Sequence, residues 1–212
     1  MKQLPTPHRW LALLLAALAG YVDSLGFLQL GGLFVSFMSG NTTRLAASLA
    51  EGGWTAAAAS AAILLLFVLG AFIGALVAGG EGAQSRTRVL TLEAILLTGA
   101  ALAAMAGVTP LAVALMVLAM AAENAIFLRN GEVGVGLTYM TGALVKIGHS
   151  LAAALRGGDP QAFRPYLALW GGLTAGAILG ALAFGVLGLA ALWPAAAFAA
   201  ALALLSRLRP AA

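Results

Sequence analysis

The chain contains no cysteine, two histidines and seven acidic residues in 212 positions. The missing thiol excludes disulfides, thiolate metal sites and cysteine nucleophiles, and it says nothing about compartment. Charge is scarce for the size. Asp, Glu, Lys and Arg make up 8% of residues, against about 25% in an ordinary soluble domain. A water-facing surface is hard to assemble from so few charges, so lipid is the expected solvent. HExxH, GxSxG and P-loop patterns are absent, and no histidine clusters with carboxylates. No enzyme class is indicated, and neither a cofactor nor a metal is implied.

What is present is apolar. Hydrophobic residues make up 62% of the chain and the mean hydropathy is +1.02. Lys and Arg number 11 against 7 Asp and Glu, with a pI near 10.1. These basic residues sit singly between long apolar runs, which fits membrane orientation by the positive-inside rule and not nucleic-acid binding. Residues 1–9 are short and basic, and the apolar run behind them reaches Leu30 without a small-residue cleavage motif. That pattern is a retained first helix, not a removed signal.

A spanning helix needs about 20 apolar residues. Six segments qualify: 10–30, 54–79, 89–107, 111–128, 166–188 and 189–206. Two more, 31–50 and 131–155, are apolar but broken. Each opens with Gly and a short β-prone run, LFVSFM or VGLTYM, and continues through a Ser-Gly or Thr-Gly pair into an Ala/Leu-rich stretch. A strand-like leg entering a half-helix is expected, with Ser39 and Thr141 as N-caps. If the six long segments cross and the broken ones re-enter, Lys2, Arg9, Arg86, Arg88, Arg129, Arg156, Arg164, Arg207 and Arg209 all fall on one side. That side is then the cytoplasm, and both termini lie there.

The two halves resemble each other. DSLGFL at 23–28 lines up with ENAIFL at 123–128, SFMSGNTTR at 36–44 with TYMTGALVK at 138–146, and GAFIGA at 70–75 with GAILGA at 176–181. The expected fold is therefore an all-α polytopic membrane protein forming one domain over 1–212. Its repeats span about 8–107 and 110–207, each with three crossings and one broken re-entrant segment. An odd number of crossings inverts the second copy, as in many secondary transporters.

Broken backbone at membrane depth belongs in the protein interior or beside water. Opposed half-helix N-termini at Ser39-Gly40 and Thr141-Gly142 would form an anion site, with Asn41 and Thr42 adding donors. Arg44 and Lys146 occupy equivalent places in the two half-helices and would tune that cavity. The alternative is that each neutralises a carboxylate or reaches an interface. Asp23 and Glu123 are the equivalent acidic pair inside long apolar helices. They read equally as proton carriers or as static partners of Arg44 and Lys146, and a third reading has them bonding the irregular backbone nearby. Glu93 falls about one turn into the third long segment, where a structural or interface role is expected, and His149 reads as a packed or interfacial residue. The GxxxG patterns at 70–74 and 176–180 read as tight helix packing within one protomer, with a homodimer as the minor alternative.

GYVDSLGF at 20–27 followed by FMSGNT at 37–42 resembles the YoaK-like bacterial membrane proteins, a group of unknown function. The resemblance covers nearly the whole chain and implies an inner-membrane protein of about six helices. In plan alone, the inverted repeats with broken segments are similar to the nucleobase and sulfate-type anion transporters. In that plan the broken segments also cross the membrane, whereas the charge placement here favours re-entry. The expected function is a small secondary transporter for an anion or weak acid, proton-coupled through Asp23 or Glu123. A passive anion channel, or a non-transporting sensor or assembly protein, is the alternative.

Overall fold

A computed structural model of the chain describes residues 6–129, 132–133, 138 and 140–208. Eight α-helices run in order: α1 (Thr6–Gln29), α2 (Met38–Ala50), α3 (Trp54–Ala78), α4 (Ala83–Met105), α5 (Thr109–Ala122), α6 (Met140–Leu155), α7 (Arg164–Leu187) and α8 (Leu192–Leu208). Two 3-10 segments, Glu123–Phe127 and Gly188–Ala191, continue α5 and precede α8. A two-residue hairpin pairs Leu128 with Val133. Five stretches are long and apolar enough to cross a bilayer: Arg9–Gln29, Trp54–Ala78, Ala83–Met105, Thr109–Phe127 and Arg164–Leu208.

Ala and Leu, strong helix formers, dominate these stretches, and the chain breaks where glycine permits a left-handed turn. Gly79 closes α3 at φ 63°, and Gly188 closes α7 at φ 56°. Pro110 sits in the first turn of α5, where its missing N–H costs nothing.

One boundary differs from the sequence expectation with consequence. The third long helix does not begin at residue 89. It begins at Ala83, because the polar run QSRTR at 84–88 stays helical and carries the helix out of the apolar layer. Glu93 is therefore near the middle of a 23-residue helix, not one turn from its start.

Packing rests on small residues, as expected where lipid removes the hydrophobic drive between helices. Helix α7 lies along α1 at van der Waals range. A side chain at Gly176 would collide with the Ala17 carbonyl, and one at Gly180 with the Tyr21 carbonyl and Ser24 hydroxyl. Helix α3 lies on α5 in the same manner. A Cβ at Gly70 would stand 2.8 Å from the Leu118 oxygen, and one at Gly74 would stand 2.7 Å from the Ala122 Cα. Helix α4 packs between α5 and α8, with Leu97, Met116, Met120 and Leu192 fully buried in the shared core. Polar contacts brace one end of the α4–α8 pair: the Thr87 and Ser206 hydroxyls meet at 2.6 Å, and Arg207 donates to Thr91 Oγ1 at 3.2 Å. Leu65, Phe72, Leu76, Ile95 and Val186 point outward, as lipid-facing side chains should.

The leg before α2 is not a strand. Residues 30–37 bend without a ladder, because side chains from α1 and α2 take up its backbone groups. For the second broken segment, residues 135–137 and 139 of the VGLTYM run lie outside the described residues.

Candidate functional site

Asp23 sits on α1, six residues before the helix ends at Gln29. One of its carboxylate oxygens accepts the Val35 N–H at 2.9 Å and the Ser36 N–H at 2.7 Å. Asn41, fully buried on α2, clamps the same leg from the other side. Its Oδ1 accepts the Phe34 N–H at 2.9 Å, and its Nδ2 donates to the Phe34 carbonyl at 2.7 Å. Two side chains thus satisfy a strip of irregular backbone that lipid could not. Phe27, Phe34 and Phe37 stack beside it, with ring centroids 4.9 and 5.2 Å apart.

This geometry reassigns several sequence candidates. Ser39 is not the N-cap of α2. The helix starts one residue earlier, after Phe37, without a side-chain cap, because the latched leg delivers the backbone to Met38 already turned. Thr141 likewise lies inside α6, whose first residue is Met140. Gly40 makes room for the Phe34 and Phe37 rings, whereas Gly142 has open space around it among the described residues. Thr42 and Thr43 spend their hydroxyl protons on the Met38 and Ser39 carbonyls. Helix α2 packs on α3 and α6 on α7, not on each other. Asn41 is a clamp, and the carboxylate filling the positive backbone nest before α2 is the protein's own Asp23.

Among the described residues, the ion-pair alternative for Asp23 and Glu123 finds no matching contact. Asp23 bonds backbone and not Arg44, and Lys146 lies over the Tyr166 ring at 5.4 Å and not on Glu123. Arg44 rests its guanidinium against Gly32. It lines a cleft of about 570 Å³ shared with Leu33, Ser48, Glu51, Thr55 and Ser60.

A second place emerges that motif reasoning undervalued. Glu93 of α4 and Glu123, where α5 tightens into its 3-10 segment, are 0% and 1% exposed. Among the described residues none of their four carboxylate oxygens has a hydrogen-bond partner. The 3-10 segment that begins at Glu123 packs against α4, the helix that carries Glu93. Glu123 stood out in the sequence through its match with Asp23. Glu93 needed a different signal, its distance from the α4–α5 turn, which equals that of Glu123 to within two residues. Among the described residues no group of three His, Cys, Asp or Glu side chains is placed to hold a metal.

A model of the family described as "Protein of unknown function (DUF1275)" matches residues 11–205. The chain is also similar to a UPF0700 transmembrane protein of Rhizobium meliloti (strain 1021), at 34% identity over 179 residues, covering 83% of this chain and 76% of that one. No solved structure matches it.

Proposed function

The chain belongs to the DUF1275 family of YoaK-like membrane proteins, and on that premise we propose that it is a small secondary transporter of two inverted halves, moving an anion or weak acid across the bacterial inner membrane. The observation that carries this reading is an exchange of partners. The glycine pair of α3 seats on α5, and the matching pair of α7 seats on α1. Two copies related by a pseudo-two-fold axis would interlock in that way, each first helix receiving the other copy's third element.

Six crossings with both termini in the cytoplasm complete the plan. The stretch 164–208 has 45 residues. At about 1.5 Å per residue it would extend roughly 68 Å as one helix, over twice a hydrocarbon core of about 30 Å. A double crossing that reverses at Gly188 fits that length. Arg9, Arg86, Arg88, Arg156, Arg164 and Arg207 then share the cytoplasmic face.

Arg44 argues for the sign of the substrate. Its guanidinium is exposed and borders the cleft between the leg, α2 and α3, with the hydroxyls of Ser48 and Thr55 nearby and Glu51 at the same cleft. A planar guanidinium beside hydroxyl donors matches a carboxylate or small oxyanion. Transport without catalysis is the reading for the chain as a whole.

The test is uptake of small organic and inorganic anions by purified protein in liposomes, with and without a pH gradient. Uptake above protein-free liposomes, with counterflow and a loss of about tenfold in Arg44→Ala, is expected. Flux without counterflow would mean a passive channel. No flux of any anion, or an unchanged Arg44→Ala rate, overturns the reading.

A further inference from the structure

Helices α4 and α5 form an antiparallel hairpin about Gly107. Glu93 is twelve residues before Met105, the end of α4, and Glu123 is fourteen residues after Thr109, the start of α5. At about 1.5 Å per residue the two acids lie roughly 18 and 21 Å below the same turn. They therefore share one depth, near the centre of a bilayer, on facing helices. Their burial is complete, and among the described residues all four oxygens lack partners. Nor do the carboxyls bond each other.

Among the side chains described on the helices around the pair, none is placed as a counter-charge to it. Helices α3 and α5 contain no Lys, Arg or His, and α8 contributes only Arg207, turned to Thr91. On α4 itself, Arg88 rests against Gly79, and Arg86 lies two turns toward the helix start. From α1, Asp23 is committed to the leg. The Asn124 amide donates to the Met120 and Ala121 carbonyls at 3.1 and 3.3 Å, so it serves the backbone freed by the 3-10 turn and not Glu123. Arg129 and Glu132 follow Glu123 in the sequence, and their side chains lie outside the described residues.

An uncompensated carboxylate away from water costs several kcal/mol or more, and a second beside it adds repulsion. We propose that Glu93 and Glu123 together form an intramembrane site for one small monovalent cation, a proton or an alkali ion. One positive charge shared by the pair relieves both the repulsion and the missing partners. A proton shared between the two carboxyls needs no further ligand, whereas any metal ion would need oxygens beyond these four to complete its coordination. Across a transport cycle such a site would carry the coupling charge, but its existence does not depend on the transport reading.

Carbodiimide labelling tests the site without any substrate. Dicyclohexylcarbodiimide enters lipid and modifies protonated carboxyls, and mass spectrometry of the protein in lipid nanodiscs locates the adduct. Modification of Glu93 or Glu123 is expected. If the ligand is a proton, labelling falls as pH rises and ignores sodium and potassium. If it is an alkali ion, sodium or potassium suppresses labelling at fixed pH. In Glu93→Gln the midpoint of the Glu123 titration should move by about tenfold or more in ligand concentration, with a thermal melt on the same sample reporting folding. A bystander acid would keep its midpoint. Labelling absent from both residues, or indifferent to pH and alkali ions in the wild-type protein, overturns the site.

Discussion

Asp23 and Val35 are joined across twelve residues of chain by a carboxylate that accepts a backbone N–H at 2.9 Å. The same oxygen holds Ser36 at 2.7 Å. An acid inside an apolar helix is usually suspected of carrying protons. Here one of its oxygens accepts two N–H groups of bent backbone, and that has measurable consequences.

Asp23→Ala strands at least two N–H groups. At about 1–3 kcal/mol for each unsatisfied buried donor, the variant should lose roughly 2–6 kcal/mol of stability. Asp23→Asn keeps an acceptor oxygen and should lose clearly less. Thermal unfolding in detergent ranks the two, and equal losses would mean that the negative charge matters more than the acceptor.

Asn41 tests the other side of the leg. It both donates to and accepts from Phe34, so Asn41→Ala removes two bonds at once. Asn41→Asp retains the acceptor but sets a carboxylate against the Phe34 carbonyl. Both variants should melt earlier than wild type, and a fully stable Asn41→Asp would contradict the clamp.

The glycines separate by their surroundings. Gly176→Val collides with the Ala17 backbone and should prevent assembly of α7 on α1. Gly142→Ala meets nothing within 4 Å among the described residues and should gain up to about 1 kcal/mol from helix propensity. Yield and melting temperature of the two variants are the readout.

Lys146 over Tyr166 is an exposed cation–π contact, worth about 0.5–1 kcal/mol. Lys146→Gln should therefore shift the melt only slightly, with Tyr166→Leu giving a similar loss and the double variant little more. Additive losses in that cycle would mean the ring and the ammonium act separately.

Much of this architecture is written in local patterns. Long apolar runs give the helices, and GAFIGA with GAILGA marks the two faces where backbones touch. The motif match at Asp23 pointed to an important residue. Its partner was not readable, since a carboxylate and an N–H twelve residues apart meet only when the chain turns back. Asn41 suffered similarly: a half-helix start invites a ligand reading, and burial alone tells a clamp from a donor. The depth of Glu93 is set by the helix start at Ala83, which the apolar run from 89 onward does not show. Such distances are tertiary facts.

The crossed seating of α3 on α5 and α7 on α1 bears on how the chain is made. A ribosome that has released only the first half into the membrane leaves α1 without α7 and the glycine face of α3 without α5, so both faces wait for later segments. Neither half is then a folding unit. A gene cut in the turn at Gly107 should give two unstable fragments that accumulate only when expressed together.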